Sequence, residues 1–498
     1  MEVLGSLTGG TPAIKIKGGF PVSSNSAFIS AAQEEQLREK LLELLGKKGV
    51  EIEHPKVLHL LKEAGAEVDE HNSRVFFPPD FLEGVLKQAP REFLLSGADP
   101  EYDLQLPRPG GSFYLRTSTG APNYIEPLSG IYRRTKVQDI VEWAELANTL
   151  EQIGFTAFPS PWDTPNKTAD VHALASMLKH SVKHIWVQPY SNESIAYLLE
   201  LCEAAAGSGE ALQKRPLASF ITCALTPLTF KYMDMEVILQ ASSRGLPVHA
   251  CSLPSAGGTA PMTMPGVILL AAAEIAVMAA VAQVVRPGSP VVATPLIFAL
   301  DMKTGRTAHT TVEAIRGASA ATKFLKAALG IPTHTYGLGS DSPTLDGQSM
   351  SERSLLGMMV ALAGTDILGG AGQLEVATTI SPLQLVLDDE LARVILGITT
   401  GLEVNEDNMA WEDLLRVTPG GHFLETEHTL QNCRKVVSRD VFTNMSRETW
   451  TKRGVKDLLL RTQERFSYLM DNRVTKELPA ETAREIDNIV ETADRNLM

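Results

Sequence analysis

The sequence predicts an α/β fold, a TIM (β/α)8 barrel with an α-rich N-terminal subdomain and a helical C-terminal cap. Three observations predict this fold. The chain has 498 residues, more than one small hydrophobic core accommodates. Beyond about residue 110, short apolar or β-branched runs alternate with amphipathic helical stretches, as in parallel βα units. There are eight such runs, which is the number of strands in this barrel.

The regions before and after the barrel have helical patterns. Leu37, Leu41 and Leu44 recur near helical spacing, which indicates an α-rich subdomain over residues 1–108. The barrel is predicted over residues 109–384. The remainder, 385–498, is acidic and helix-like apart from a loop around PGGHFLETEHT, and we expect it to cap the barrel.

The eight predicted strands follow one another at intervals of about 30 to 45 residues, enough for a strand, a crossover helix and two loops. Several end in polar or aromatic residues, and the carboxyl ends of strands carry the chemistry of a TIM barrel. We therefore expect the functional site there. A doubly wound open sheet is the alternative. The strands are SFYLRTS (112–118), IGFTAFP (153–159), HIWVQPY (184–190), LASFITCAL (217–225), VHACSLP (248–254), VVATPLIFAL (291–300), PTHTYG (332–337) and TDILGG (365–370).

Charge and composition exclude some classes of partner. The formal net charge of −14 disfavours nucleic acid and anionic membrane surfaces, which an acidic face repels. Four cysteines without a CxxC pair fit a reducing cytoplasm. The N-terminal residues show no export signal. The apolar segment 266–285 is long enough to cross a bilayer, but its alanines and Glu274 indicate a helix buried between neighbours.

Several cofactor motifs are missing from the sequence. GLGSDS has two glycines of GxGxxG but lacks the third, and neither a P-loop nor a GxSxG motif occurs. Modules that carry a corrinoid use DxHxxG, and the nearest segment here, DEHNSR, has Arg74 in place of the glycine. We therefore expect that the chain does not hold cobalamin tightly by itself.

Seven segments, in order along nearly the whole chain, resemble the trimethylamine methyltransferase (MttB) superfamily, specifically its non-pyrrolysine branch. The resemblance implies a TIM-barrel enzyme that moves a methyl group from an amine to the cob(I)alamin of a separate corrinoid protein. The segments are HPKVLHLLKEAGAEVD with FFPPDFLEGVLKQAP, RTSTGAPNYIEPLSGIYRRTKVQDI, LPSAGGTAPMTMPGVILLAAAEIAV, DMKTGRTAH, DSPTLDGQ, LDDE and PGGHFL…HT.

The chain contains no pyrrolysine, the residue that marks the founding branch of that family. This departure points away from trimethylamine and towards quaternary amines, as in the similar glycine betaine methyltransferases. A quaternary ammonium leaves as a neutral tertiary amine, so the enzyme need not deliver a proton. Glycine betaine is the expected substrate, with proline betaine, carnitine, γ-butyrobetaine and choline as alternatives.

Such a site needs aromatic faces for the N-methyl cation and a forked donor for a substrate carboxylate. Arg306 follows the sixth predicted strand and is a candidate clamp, although a surface arginine fits equally. His334 is a candidate to bind the substrate carboxylate or the corrinoid, and its alternative is a core histidine. Aromatic residues at or near predicted strand ends are candidates for the cage, or plain core residues: Tyr114, Trp162, Phe298 and Tyr336.

The loop after the seventh predicted strand supplies three candidate catalytic residues, Asp341, Asp346 and Gln348. Their side chains are suited to balance the ammonium charge or to orient His334. The competing interpretation is loop and helix capping, because Asp and Ser bond readily to nearby backbone groups.

Two other functions stay open. One is a betaine-binding protein that has kept the barrel without methyl transfer. The other is a zinc-dependent thiol methyltransferase, for which Cys223 and Cys251 lie near adjacent strand ends, although no metal site is expected. The apolar segment 266–285 further indicates a buried interface, so we expect a homo-oligomer.

Overall fold

The computed structural model describes residues 28–435 and 439–498, and within them eight parallel strands form a central barrel. Each strand pairs with the next in sequence, and Ala293 and Thr333 bridge the sixth and seventh. The eighth returns to the first, since Ile367 pairs with Tyr114. All eight predicted strands are confirmed, and the open sheet is excluded because the sheet closes. The strands are Tyr114–Thr117, Ile153–Ala157, His184–Val187, Ala218–Cys223, Val248–Ser252, Val291–Pro295, His334–Tyr336 and Ile367–Ala371.

A helix follows each barrel strand and returns the chain to the amino end of the barrel, as parallel pairing requires. After the third strand a second, short helix is added, Gly209–Lys214. The principal helices are Val137–Thr149, Ala169–His180, Ile195–Ala206, Tyr232–Ser243, Met264–Val285, Val312–Leu329, Gly347–Leu362 and Pro382–Thr399.

The helix Met264–Val285 is long and apolar enough to span a membrane, yet 89% of its most apolar stretch is buried within the protein. One side packs on the fifth and sixth strands, and three N-terminal helices lie against its outer side. A helix covered all round needs no polar face, which explains its composition. The expectation that this segment forms an interface between subunits is wrong, because the chain itself buries it.

The described part of the N-terminal segment is α-rich, as predicted, with helices Ala31–Lys47, Pro55–Ala64 and Pro79–Leu86. Short strands Val50–Ile52, Glu67–Asp69 and Arg74–Phe76 join Thr229–Phe230 in a small sheet. The hairpin Phe93–Leu95 and Leu104–Leu106, with the 3-10 turn Pro100–Tyr102 between, closes the amino end of the barrel, where its leucines join the apolar interior. The first residues, interpreted as lacking an export signal, lie outside the described part.

The C-terminal extension packs along the side of the barrel. Helix Leu458–Asp471 lies against Pro382–Thr399 and Val137–Thr149, and Ala480–Leu497 lies against the helices after the second and third strands. Shorter helices are Trp411–Arg416, Glu427–Asn432 and Arg447–Lys452. The predicted boundary at residue 384 falls in the first turn of Pro382–Thr399, and the domain limits stay a prediction.

Two small sheets line the carboxyl end of the barrel, which we call the mouth. One combines Asn123–Ile125, Tyr132–Arg134, Gln373–Leu374 and Thr379–Ile380, from the loops after the first and eighth strands. The other combines Ser255–Ala256, Phe298–Leu300 and Thr307–Ala308, from the loops after the fifth and sixth strands. These sheets hold the loops that carry the candidate site.

Candidate active site at the barrel mouth

Arg116, on the first strand, is a fully buried guanidinium inside the barrel. Its Nε donates to Nε2 of His334 at 3.2 Å, its Nη1 donates to the Thr117 carbonyl at 2.6 Å, and its guanidinium carbon lies 4.0 Å from the Trp186 ring centroid. Among the described residues, Nη2 has no hydrogen-bond partner and no carboxylate pairs with the group. Burial lowers the pKa of Arg116 to about 10, so it stays protonated at neutral pH. The barrel therefore contains a positive charge without a counter-ion from the described chain.

His334 supplies a second free donor beside Arg116. Its Nε2 accepts the Arg116 N–H, so the proton of the neutral ring lies on Nδ1. Burial, and then the charge of Arg116, hold the pKa of His334 well below its usual range. Nδ1 is buried and has no partner in the described structure. His334 is thus a neutral and fully buried hydrogen-bond donor.

Below these groups a chain of polar side chains crosses the barrel. His249 Nε2 lies 3.0 Å from Ser219 Oγ, which lies 3.0 Å from His184 Nε2, and His184 Nδ1 lies 3.0 Å from the Ser96 carbonyl. The His249 and His334 rings are nearly perpendicular with centroids 5.5 Å apart. Burial lowers the pKa of His184 to about 4, and this network adds no charge at neutral pH.

A second polar group, closer to the mouth, links Asp341, His309 and Gln373. Asp341 Oδ1 lies 2.8 Å from His309 Nδ1, although the contact is poorly aligned for a hydrogen bond, and a carboxylate at this distance favours the imidazole proton on that nitrogen. His309 Nε2 lies 3.2 Å from Gln373 Nε2 and accepts its proton. The Gln373 Oε1 atom is buried and accepts no hydrogen bond from the described residues. This oxygen presents negative partial charge at the mouth.

We expect Asp341 to stabilise the fold through its hydrogen bonds from His309 and Thr310. Burial alone raises its pKa, but these bonds outweigh burial and lower it from 3.8 to about 2. The stabilisation, about 1–2 kcal/mol after allowance for partial exposure, is present above pH about 4 and is lost as the pH falls through about 2. In urea unfolding, the stability difference between wild type and Asp341→Asn should shrink across that window; a constant difference contradicts the assignment.

Two aromatic rings, those of Tyr336 and Phe298, pack against His309 of the Asp341 group. The Tyr336 ring centroid lies 5.2 Å from that of His309 and 6.2 Å from that of Phe298, and Phe298 lies 6.1 Å from His309. Trp186, Phe298 and Tyr336 share the apolar cluster inside the barrel. Burial raises the pKa of Tyr336 to about 12, so its phenol stays neutral. The faces of such rings attract cations.

Consecutive glycines at the end of the eighth strand connect the two polar groups. A Cβ on Gly369 would lie 2.5 Å from His334 Nε2 and 2.8 Å from Arg116 Nη2. A Cβ on Gly370 would lie 2.9 Å from the Gln373 amide carbon. Because consecutive Cα atoms are about 3.8 Å apart, the buried cation and the buried acceptor flank the same short stretch of backbone.

The structure brings together four of the nine candidate site residues: His334 beside Arg116, and Phe298, Tyr336 and Asp341 at the mouth. It does not bring Tyr114 to them. Tyr114 begins the first strand, at the amino end of the barrel, and its ring lies under Arg108 at 5.0 Å. The structure therefore does not place Tyr114 with the rings at the mouth, because it stands at the amino end of its strand rather than at the carboxyl end.

Arg306 is exposed at the tip of the hairpin between Phe298–Leu300 and Thr307–Ala308, so the structure does not place its side chain in the site. Trp162 is likewise exposed, at 64%, on the loop after the second strand. The structure therefore does not bring the predicted carboxylate clamp, Arg306, or the predicted cage residue Trp162 to the buried groups.

Asp346 and Gln348 follow the capping interpretation. Asp346 Oδ1 accepts from the Ser349 backbone N–H at 2.8 Å and caps the helix Gly347–Leu362. Gln348 is exposed on that helix, and its Nε2 donates to Glu352 at 2.7 Å. Neither side chain reaches the buried groups. Asp346 instead caps the helix N-terminus, where the first backbone N–H groups have no partner within the helix.

Sequence reasoning missed Arg116, Trp186, His309 and Gln373. Three of them lay inside segments already noted for other reasons: Arg116 in RTSTG, Trp186 in HIWVQPY and His309 in DMKTGRTAH. The usable signal was a lone arginine inside an otherwise buried strand, since arginine is almost never fully buried unless paired.

No group of three or more His, Cys, Asp or Glu side chains in residues 28–435 and 439–498 is placed to hold a metal ion. Cys223 and Cys251 are neighbours across the fourth and fifth strands. Two thiols without further ligands do not make a zinc site.

Comparisons with known proteins identify the family of the chain. The family model described as trimethylamine methyltransferase (MTTB) matches residues 15–497. The chain is 27% identical to the trimethylamine methyltransferase MttB of Desulfitobacterium hafniense over 456 residues, 91% of each protein. It is also 27% identical to the glycine betaine methyltransferase of D. hafniense strain Y51, over 91% of this chain and 94% of that protein.

Among solved structures, the Methanosarcina barkeri monomethylamine methyltransferase is similar to this protein with a TM-score of 0.51, 14% sequence identity and coverage of 90% of this chain and 89% of that chain. At this identity the likeness concerns the fold.

Proposed function

The chain belongs to the trimethylamine methyltransferase family, and we propose that it transfers a methyl group from a quaternary amine, in the first place glycine betaine, to a corrinoid carried by a separate protein. One relative at 27% identity is named glycine betaine methyltransferase. The lack of pyrrolysine in this chain agrees with that choice.

The observation that carries the proposal is the buried acceptor Gln373 Oε1, whose amide nitrogen contacts His309, the imidazole that lies against the rings of Tyr336 and Phe298. A quaternary ammonium has no N–H to donate, so it is bound by partial negative charge and by ring faces rather than by hydrogen bonds. Asp341, behind His309, adds a carboxylate within the same group. This end of the site suits an N-methyl cation.

Methyl transfer from a quaternary amine requires the site to position the substrate and requires no proton transfer. The carbon–nitrogen bond breaks, its electron pair stays on nitrogen, and a neutral tertiary amine leaves. The reduced corrinoid implied by the family supplies the nucleophile that takes the methyl group. The side chains of the site hold the amine in line with the mouth, with reacting atoms about 3–3.5 Å apart at attack.

The surface around the mouth fits an incoming protein. Exposed large apolar side chains lie on the loops after five of the barrel strands, all at the carboxyl end. Contiguous exposed apolar residues mark interaction sites. The residues, in chain order, are Leu128, Ile131, Tyr132, Trp162, Leu225, Met262, Met302 and Val312. These residues, the apolar rim, form the proposed docking surface for the corrinoid protein.

Met302→Glu is expected to raise the KM for the corrinoid protein about tenfold, because it places a charge in an apolar interface. Calorimetric binding of the amine to the isolated enzyme should not change. Leu362→Glu is the matched control: Leu362 is 55% exposed, against 67% for Met302, but ends a helix at the opposite side of the barrel. Equal effects of both variants contradict the assignment.

The function is tested by mixing the purified enzyme, a corrinoid protein reduced to Co(I) and each quaternary amine in turn. Methylation is followed as the absorbance change from cob(I)alamin to methylcobalamin. Methylation with glycine betaine supports the proposal, and methylation with another betaine corrects the substrate. Calorimetric binding without methylation across the panel favours a betaine-binding protein instead.

A further inference from the structure

We infer that Arg116 and His334 form an anion subsite that recognises the carboxylate of the substrate and restricts the enzyme to zwitterionic amines. The inference rests on the proposed function and extends it, because that function was argued from the ammonium end alone. It assigns the carboxylate to a residue inside the barrel, far in sequence from Arg306.

The first argument is charge. A buried ion costs several kcal/mol of desolvation unless it is paired, and Arg116 is fully buried with no carboxylate partner among the described residues. Its neighbours His334, His249 and Trp186 are neutral. A ligand carboxylate supplies the missing negative charge.

The second argument is hydrogen bonding. A carboxylate only accepts hydrogen bonds and has two oxygens to satisfy. The buried donors that the described structure leaves free in this cluster include Nη2 of Arg116, Nδ1–H of His334 and Nε1–H of Trp186. The guanidinium is already fixed by its Nε and Nη1 bonds and by the Trp186 ring. The subsite is thus organised before the ligand arrives, which limits the entropy lost on binding.

The third argument is spacing. An added Cβ on Gly369 would meet the Arg116 cluster and one on Gly370 would meet Gln373, so the anion and cation subsites border adjacent residues of the eighth strand. In glycine betaine one methylene separates the carboxylate from the ammonium. A short zwitterion therefore satisfies both ends. Choline and tetramethylammonium bring a second cation near Arg116 without a compensating anion.

The test compares glycine betaine with tetramethylammonium on Arg116→Met, by calorimetric binding to the enzyme without its corrinoid partner. The affinity for glycine betaine should fall about a hundredfold or more. The affinity for tetramethylammonium should stay the same or rise, because a repelling charge is gone. Arg306→Met, the same substitution at an exposed arginine, should change neither.

Thermal unfolding separates recognition from a structural role. Without ligand, Arg116→Met should keep or raise Tm, since it removes an unpaired buried charge. Arg116→Lys, which keeps the charge but loses the fork, should retain part of the preference for glycine betaine. Equal losses for both ligands, a fall in Tm with Arg116→Met, or no loss for glycine betaine overturns the subsite. If betaine binding depends on Arg116 but no amine is methylated, the anion subsite is supported and the proposed function is contradicted.

Discussion

Arg353→Met is expected to lower the free energy of unfolding by about 3–5 kcal/mol. Arg353 and Asp388 are both fully buried, with Nη1 and Oδ2 2.7 Å apart. Removal of the cation leaves Asp388 as an unpaired charge in the protein interior. Burial already raises the pKa of Asp388 to about 6, and the loss of Arg353, which lowers that pKa, removes its main compensating charge.

Urea unfolding measures the effect as a shift of the transition midpoint. Arg38→Met is the matched control, because its ion pair with Glu83 is partly exposed and should contribute less than about 1 kcal/mol. The double variant Arg353→Met with Asp388→Leu should recover much of the loss, since an apolar pair replaces a buried ion pair at little cost. Similar shifts for Arg38→Met and Arg353→Met contradict the expectation.

The ion pair of Arg353 and Asp388 also holds the loops that carry the site residues. Besides Asp388, Arg353 donates to the carbonyls of Leu338 and Gln373, in the loops after the seventh and eighth strands. Asp388 accepts the Gly372 backbone N–H at 2.7 Å. The ion pair therefore fixes the backbone that carries Gln373, so that stability and the position of the ammonium subsite depend on one contact.

The barrel followed from the sequence because its determinants are local. Each strand is a short buried run bounded by turn residues, and most helices have an apolar stripe at helical spacing. Met264–Val285 and the first part of Pro382–Thr399 differ, because they are buried all round. The order and parallel pairing then follow from the connections. LDDE stood out as a motif, and Asp388 within it proved to be a buried structural carboxylate.

The site could be predicted only in part, because it depends on which end of a strand a residue occupies and which way it faces. His334, Tyr336 and Phe298 were found as residues near strand ends. Tyr114 was also chosen as a residue near a strand end, but that end is the amino end of the first strand. Arg116 gave no local signal of its missing partner, because the absence of a carboxylate around a side chain is a property of the folded barrel.

Gly339→Ala is expected to lower the rate of methyl transfer about a hundredfold by displacing Gln373 and His309. A Cβ at this position would lie 2.1 Å from Gln373 Nε2 and 2.3 Å from His309 Nε2, closer than any real contact. The Gly339 backbone is not in the left-handed region, so alanine adds no backbone strain there. Both side chains are buried and cannot swing into solvent. A displacement of about 1 Å at a reacting site costs on the order of a hundredfold in rate.

Gly347→Ala is the matched control for Gly339→Ala. Gly347 begins the helix after the same loop, has no atom within 4 Å of an added Cβ and has no positive φ. Its rate and glycine betaine affinity should match those of wild type. Circular dichroism should show both variants folded, with at most a stability loss of about 1–3 kcal/mol for Gly339→Ala from overpacking.

Because the crowding acts on the ammonium end, Gly339→Ala should weaken glycine betaine and tetramethylammonium alike. Arg116→Met, by contrast, should separate the two ligands, since only one carries a carboxylate. If Gly339→Ala leaves both affinities and the rate unchanged, Gln373 does not hold the ammonium group and the cation subsite must lie elsewhere on the mouth. The anion subsite is unaffected by that result, because its donors belong to the other polar cluster.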